Sequence, residues 1–255
     1  YIKYGGNTAC VHVELNDGTD IILDSGTGIR LLGNKLKYKT SPIHLLLSHN
    51  HWDHIQGFPF FRQTFDPEFE LNLYSALHSG VDIESALRGQ MENPYFPIRL
   101  QEMPAKMNFK EIKIGEDIKI GKIVVQSVSL NHPGGSTGYK IICNNKSVAY
   151  ITDHEHNEKS KQRLVDFLKG TNKVIFDAHY TPEEYSGADG SGGREGWGHG
   201  TWMDAVELCR DANIDQLILT HHGHEDSEIE RIELNAQNKF ANTIAAYEGL
   251  EIDLD

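Results

Sequence analysis

Short apolar runs rich in β-branched residues recur along the chain: Cys10 to Leu15, Ile21 to Leu23, Ile43 to Leu47, Leu71 to Tyr74, Ile123 to Val128, Gly138 to Ile142, Val148 to Ile151, Val174 to Phe176 and Leu217 to Leu219. Runs of this kind predict strands. Helical spacing is clear where Trp202, Ala205, Val206 and Cys209 fall at i, i+3, i+4 and i+7, and where Ile229, Ile232, Ala236, Phe240 and Ile244 share one face of a longer C-terminal helix. A weaker helical pattern covers Lys159 to Leu168. Strands dominate early and alternate with helices later, which predicts a layered α/β protein with much antiparallel sheet. Two segments read as long loops: Gly89 to Met107, with Pro94, Pro97 and Pro104, and Gly187 to Gly200, with seven glycines in fourteen residues. Long loops in compact domains are usually functional or disordered.

No internal repeat or linker interrupts this pattern, so the 255 residues are expected to form one domain. Hydrophobic residues make up 38% and charged residues 24%, the mixture of a globular protein rather than a disordered one. Lys plus Arg number 24 against 37 Asp plus Glu, a formal net charge of -13. Such a surface repels polyanions, so neither tRNA nor DNA is an expected partner. No apolar run approaches the roughly 20 residues that span a bilayer, and no signal-peptide pattern opens the chain. A cytoplasmic protein without a membrane partner is expected, with the reservation that the chain begins at Tyr1 rather than Met. Cys10, Cys143 and Cys209 are odd in number and far apart, which fits buried reduced thiols better than a disulfide framework.

Histidine changes the picture. Eleven of the fourteen histidines sit in six short segments, four of which begin at or just beyond the end of an apolar run. Side chains at the C-terminal ends of neighbouring strands converge on one edge of a sheet, the usual place for a site in α/β folds. The sharpest segment is Leu45-Leu-Leu-Ser-His49-Asn-His51-Trp-Asp53-His54, where a buried strand delivers three imidazoles and a carboxylate within six residues. Imidazole with carboxylate suits Zn, Fe, Mn or Ni, and the lack of nearby thiolate points to a catalytic rather than a closed structural site.

The His49-x-His51-x-Asp53-His54 pattern resembles the HxHxDH signature of the metallo-β-lactamase-fold hydrolases. Later motifs follow in that family's order: His132 in His-Pro-Gly-Gly-Ser-Thr-Gly-Tyr, Asp153 in Tyr-Ile-Thr-Asp, and His221 after Leu-Ile-Leu-Thr. The resemblance implies a four-layer αββα sandwich with two divalent metal ions at one edge. It implies one ion on His49, His51 and His132, a second on Asp53, His54 and His221, and Asp153 between them. Zn2+ is the first choice, with Mn2+ or Fe acceptable to the same ligands. His222 competes with His221, the residue directly after the strand being preferred. Asp24, ending Ile-Ile-Leu-Asp, reads either as a carboxylate orienting a ligand histidine or as a turn cap. His154, His156, His179 and His224 read as solvated or supporting residues, and His12, His44 and His78 as structural.

Three features choose among the family's reactions. Gly198-His199-Gly200-Thr201 resembles the His-Ser-Thr segment of the tRNase Z-like phosphodiesterases, which implies that His199 assists an alkoxide leaving group, although Gly200 stands where that segment carries Ser. Glycines around His132 let backbone approach a phosphate. Only residues 133–152 lie between His132 and Asp153, too few for the long arm with which tRNA-processing relatives grip tRNA. Tyr4 to Thr8, Leu23 to Arg30 and Ser48 to Phe61 resemble a subgroup for which cyclic-nucleotide phosphodiesterase activity is suggested, whose members are often dimers and start with a strand that would precede Tyr4. The expectation is therefore a binuclear phosphodiesterase acting on a small phosphodiester, a cyclic nucleotide first, by attack of a metal-bridging hydroxide. Asp53 would orient the nucleophile, His199 would assist departure, and Tyr95 and Phe96 would stack on a base. The alternatives are a lactonase or thioesterase on the same metals, or a metal-binding sensor without turnover.

Overall fold

The computed structural model describes residues 2–36 and 42–254. The chain divides into two compact units, one of residues 7–113 and one of residues 2–6 with 114–254.

The unit of residues 7–113 is built on a five-stranded sheet in sequence order: β1 (Val11–Glu14), β2 (Asp20–Leu23), β3 (Ile43–Leu46), β4 (Glu70–Ser75) and β5 (Lys106–Glu111). β1 pairs antiparallel with β2, and every later pair is parallel. Parallel strands need crossovers, and here these carry α1 (Ile29–Lys35), α2 (Trp52–Ile55) and α3 (Ile83–Gln90). β2 and β3 are apolar almost throughout, as strands covered on both faces must be. Their side chains join Phe58, Phe61, Leu71, Leu73, Leu87 and Met91 in one core.

The second unit holds a seven-stranded sheet in the order β12-β11-β10-β9-β8-β7-β6: β6 (Ile118–Ile120), β7 (Ile123–Leu130), β8 (Ser136–Cys143), β9 (Lys146–Ile151), β10 (Lys173–Asp177), β11 (Gln216–Thr220) and β12 (Thr243–Ala245). β6 to β9 are antiparallel and β9 to β12 parallel. The β8–β9 hairpin turns on Asn144 and Asn145, both at positive φ as a two-residue primed turn requires. α4 (Glu158–Leu168), α6 (Trp202–Asp211) and α7 (Asp226–Gln237) contribute Leu164, Leu168, Ala205, Val206, Cys209, Ile232 and Ala236 to a core with Ile151, Phe176 and Leu219. The short α5 (Pro182–Ser186) begins with a capping box in which Thr181 and Glu184 satisfy each other's backbone N–H.

All nine expected strands are present. Among the described residues six strand pairs are parallel and four antiparallel, in line with a layered α/β protein with much antiparallel sheet, and three further strands went unread. β5 and β6 are edge strands, and edges carry weak apolar signals: Lys106, Lys110 and Glu111 are exposed around half-buried Met107, Asn108 and Phe109. β12 takes Ile244, which the 3.6-residue spacing placed on the C-terminal helix. That helix stops at Gln237, Phe240 packs back on the core, and Thr243 Oγ1 donates to the Phe240 carbonyl as the chain re-enters the sheet. The expected loop from Gly89 to Met107 is interrupted by the end of α3, a 3-10 turn over Leu100–Glu102 and the start of β5. Gly187 to Gly200 is irregular throughout. The cysteines are unpaired; Cys209 is buried, whereas Cys10 and Cys143 are only half-buried. No helix among the described residues is long and apolar enough to cross a membrane.

Candidate metal centre and active site

In the unit of residues 7–113, β2 and β3 run in the same direction, so Asp24 and Ser48-His49 leave the sheet at the same edge. Asp24 is fully buried at φ +62, a conformation that costs a non-glycine residue about 1–2 kcal/mol. The carboxylate repays that strain by organising the edge. It accepts the Ser48 N–H at 2.7 Å, the Ser48 hydroxyl at 2.8 Å, and the His54 Nδ1–H at 2.7 Å. With its proton committed to Asp24, the Ser48 oxygen faces His49 Nδ1 at 3.0 Å as an acceptor. Both rings thereby keep their protons on Nδ1 and present Nε2 as a lone pair, the form a metal ligand needs.

His51 caps α2, whose single turn carries Asp53 and His54. The His49 ring lies 4.5 Å from that of His51 and 4.3 Å from that of His54, and Asp53 Oδ2 is 3.1 Å from His54 Nε2. The turn must lie close to the chain after Asp24, and Gly26 permits it: a Cβ there would stand 2.3 Å from the Asp53 carbonyl oxygen. Tyr95 is 76% exposed, whereas Phe96 is half-buried, edge-on to Phe60 and packed on the core.

In the second unit β7, β9, β10 and β11 all run one way, since β8 is antiparallel to both β7 and β9. Their C-terminal ends therefore deliver His132, Asp153, Asp177 and His221 to one edge. Asp153 and His221 both have positive φ, of 51° and 58°, so strain again marks strand ends that carry ligand-type side chains. Asp153 Oδ2 is 3.4 Å from His132 Nε2, and Oδ1 is 3.5 Å from His221 Nε2. One carboxylate thus offers an oxygen to each of two imidazoles, at separations longer than a good hydrogen bond. His132 donates from Nδ1 to the Gly198 carbonyl at 2.8 Å, which leaves its Nε2 as a lone pair towards Asp153. His222 turns the other way, with Nε2 on the Ala246 carbonyl at 3.2 Å and its ring edge-on to Tyr4. Burial lowers its pKa to about 4.

His199 joins this edge from the glycine-rich loop. Its Nδ1 lies 2.9 Å from Asp177 Oδ2 and its Nε2 lies 3.8 Å from Asp153 Oδ2. Burial of the ring opposes protonation, but the hydrogen bond to Asp177 with the charges of Asp177 and Asp153 outweighs it, so the pKa rises above the ordinary histidine value. The ring stacks between His179 at 4.6 Å and His221 at 5.0 Å. Its place along the chain is fixed by the cap of α6, where Thr201 and Asp204 exchange hydrogen bonds, and by the Gly200 carbonyl, which accepts the Tyr180 N–H. Gly200 also has a steric reason: a Cβ there would come within 2.9 Å of the His154 carbonyl oxygen.

Asp177 and Glu155 escaped the sequence reading. Asp177 is fully buried and also accepts the His154 and His179 N–H groups, at 3.2 and 3.0 Å. Its signal was available, since Val-Ile-Phe-Asp repeats the apolar-run-then-Asp pattern of Asp24 and Asp153. Glu155, for which the sequence offered no signal, is buried and clamps the glycine-rich loop. Of the histidines expected to be supporting, His154 is wholly buried, with a pKa lowered to about 3 by desolvation, and its Nδ1 accepts the Asn131 N–H. His12 and His44 bond Asp20 and Tyr74, in keeping with structural roles.

The beta-lactamase superfamily domain matches residues 19–222. The chain belongs to that superfamily. Among superfamily relatives, it is 22% identical over 287 residues to the ribonuclease Z of Alkaliphilus oremlandii, covering 93% of this chain and 90% of that protein. To the ribonuclease Z of Halalkalibacterium halodurans it is 32% identical over 88 residues, 34% of this chain and only 26% of that protein's length. The metallo-β-lactamase fold protein YhfI from Bacillus subtilis superposes with a TM-score of 0.71 at 17% identity, covering 97% and 95% of the two chains. A diphosphatase from the PhnP family gives 0.69 at 20% identity (97% and 85%), and human tRNase Z, short form, 0.68 at 14% (97% and 93%). The chain has the metallo-β-lactamase fold and is a metal-dependent hydrolase, and ribonucleases Z are among the proteins it resembles.

Proposed function

We propose that this hydrolase cleaves small phosphodiesters, cyclic nucleotides first among them, on a pair of divalent ions. His49, His51 and His132 would hold one ion, Asp53, His54 and His221 the other, with Asp153 shared. The donor chemistry supports this: His49, His54 and His132 each commit Nδ1 to a hydrogen bond and keep Nε2 as the ligating atom, and Asp153 turns one oxygen to His132 and one to His221. Two bound ions supply Lewis acidity and lower the pKa of water. Zn2+ is the first candidate for this set.

The Asp177–His199 pair carries the choice of reaction. Asp177 holds His199 by Nδ1, raises its pKa and leaves the Nε2 proton beside Asp153. A proton at that atom is what a departing sugar alkoxide requires, whereas the thiolate of a thioester leaves without one. Asp53 then orients the attacking water. Tyr95, exposed on its loop, is the candidate for stacking on a base, while Phe96 anchors that loop to the core. The small substrate, rather than tRNA, is supported by the stretch between His132 and Asp153, which holds only β8, β9 and their turns and has no room for an arm.

The test is turnover of bis(p-nitrophenyl) phosphate, 3′,5′-cAMP and a lactone by metal-replete wild type, Asp153→Ala and His199→Ala. Phosphodiester turnover abolished by Asp153→Ala is expected. His199→Ala should slow cAMP hydrolysis by about 10²–10⁴-fold and the p-nitrophenyl ester much less, because nitrophenolate needs no proton to leave. Turnover of the lactone alone would replace this reading with a carboxylic hydrolase.

A further inference from the structure

The glycine-rich loop carries more than His199. Arg194 and Trp197 precede it by five and two residues, and Trp197 is 60% exposed. The Arg194 guanidinium sits over the Trp197 ring, 5.2 Å from its centroid, and so covers one face while the ring remains open to solvent.

The loop that presents this pair is pinned rather than loose. Buried Glu155 accepts the Gly196 N–H at 2.8 Å on one carboxylate oxygen and the Gly198 N–H at 2.9 Å on the other, so it grips the chain on both sides of Trp197. The Tyr185 hydroxyl donates to the same carboxylate at 2.7 Å. The Arg194 N–H is held by the Tyr185 carbonyl, and the Trp197 N–H by the Arg194 carbonyl. On the far side, the Gly198 carbonyl accepts from His132. An exposed indole is thereby fixed one residue from a hydrogen bond to a candidate ligand histidine and two residues from His199. Ordering a side chain in advance of its ligand removes the entropy cost that would otherwise weaken stacking.

We propose that Trp197, backed by Arg194 and held by the Glu155 clamp, is a stacking shelf for the planar base of a nucleotide whose phosphate lies at the His132–Asp153–His199 edge. This rests on the phosphodiesterase reading and adds to it a base contact besides Tyr95.

Calorimetric binding of adenosine 5′-monophosphate and of ribose 5-phosphate to the metal-loaded full chain isolates the base. Stacking of one base on an aromatic side chain contributes about 1–3 kcal/mol, so wild type should bind the nucleotide at least about fivefold more tightly than the sugar phosphate. In a Tyr95→Ala background, which removes the other stacking candidate, Trp197→Ala should erase that preference while leaving ribose 5-phosphate affinity unchanged, and Trp197→Phe should keep most of it. Equal affinities in wild type, or a preference that survives when both Tyr95 and Trp197 are alanine, overturn the shelf. Bis(p-nitrophenyl) phosphate turnover on the same preparations reports separately on the phosphodiesterase reading, because failure there leaves the binding comparison intact.

Discussion

A single buried carboxylate, Asp24, sets the protonation of two histidines through one serine hydroxyl. In Asp24→Asn the amide would keep the Ser48 N–H contact but set its own NH2 against donors at Ser48 Oγ and His54 Nδ1. Metal affinity is expected to fall about 10–100-fold with the fold retained, measurable by competition with a chromophoric chelator. His44 offers a different test. Burial, then the charge of Lys110, lowers its pKa despite nearby Glu70, so the folded ring is neutral where the unfolded one begins to protonate. Stability should therefore be unaffected by this residue above pH about 6.5 and fall as pH drops below it, because the unfolded state then binds more protons. In His44→Gln the gap between urea midpoints at pH 7.5 and 5.5 should narrow. The ligand-type residues were legible in sequence because imidazoles crowd after apolar runs. Ser48 and Glu155 were not, because their work depends on partners 24 to 43 residues distant, which no local spacing encodes.

Among the elements, the strands with long apolar runs could be read directly. Of the four strands at sheet edges only β1 could, because β5 mixes charges among its apolar positions and β6 and β12 have three residues each. β12 shows how short-range periodicity misleads, since Ile244 continues the helical spacing of α7 by coincidence while pairing with Ile218. The glycine-rich loop is the element whose details bear most on the chemistry. A Cβ on Gly198 would stand 2.3 Å from His132 Nδ1, at φ +88, whereas a Cβ on Gly196, at φ +84, would meet nothing within 4 Å. Both Gly196→Ala and Gly198→Ala should cost about 1–2 kcal/mol in urea unfolding from backbone strain. Only Gly198→Ala should also lower kcat by more than about tenfold, because it alone displaces the loop from His132.

At the scale of the whole molecule, a net charge of -13 acts on every anionic ligand before any contact is made. Repulsion between a negative protein and a negative phosphodiester is screened over a Debye length of about 10 Å at 0.1 M salt. KM for an anionic substrate should therefore fall as NaCl rises from 20 to 200 mM, the reverse of the trend for a nucleic-acid enzyme with a basic groove. Steady-state kinetics of cAMP hydrolysis across that range decides it. Charge and composition were legible without a structure. The strand directions that gather the chemistry were not, since parallel and antiparallel neighbours share similar sequences.

Those directions also separate two kinds of ground. β7, β9, β10 and β11 deliver their reactive side chains at one edge, so the β8–β9 turn at Asn144-Asn145 lies at the opposite end of the same strands. A fluorophore, an affinity tag or a fused reporter inserted between those two asparagines would ride on the enzyme without trespassing on its catalytic edge. The protein thus has a built-in attachment point at which a label leaves substrate binding undisturbed.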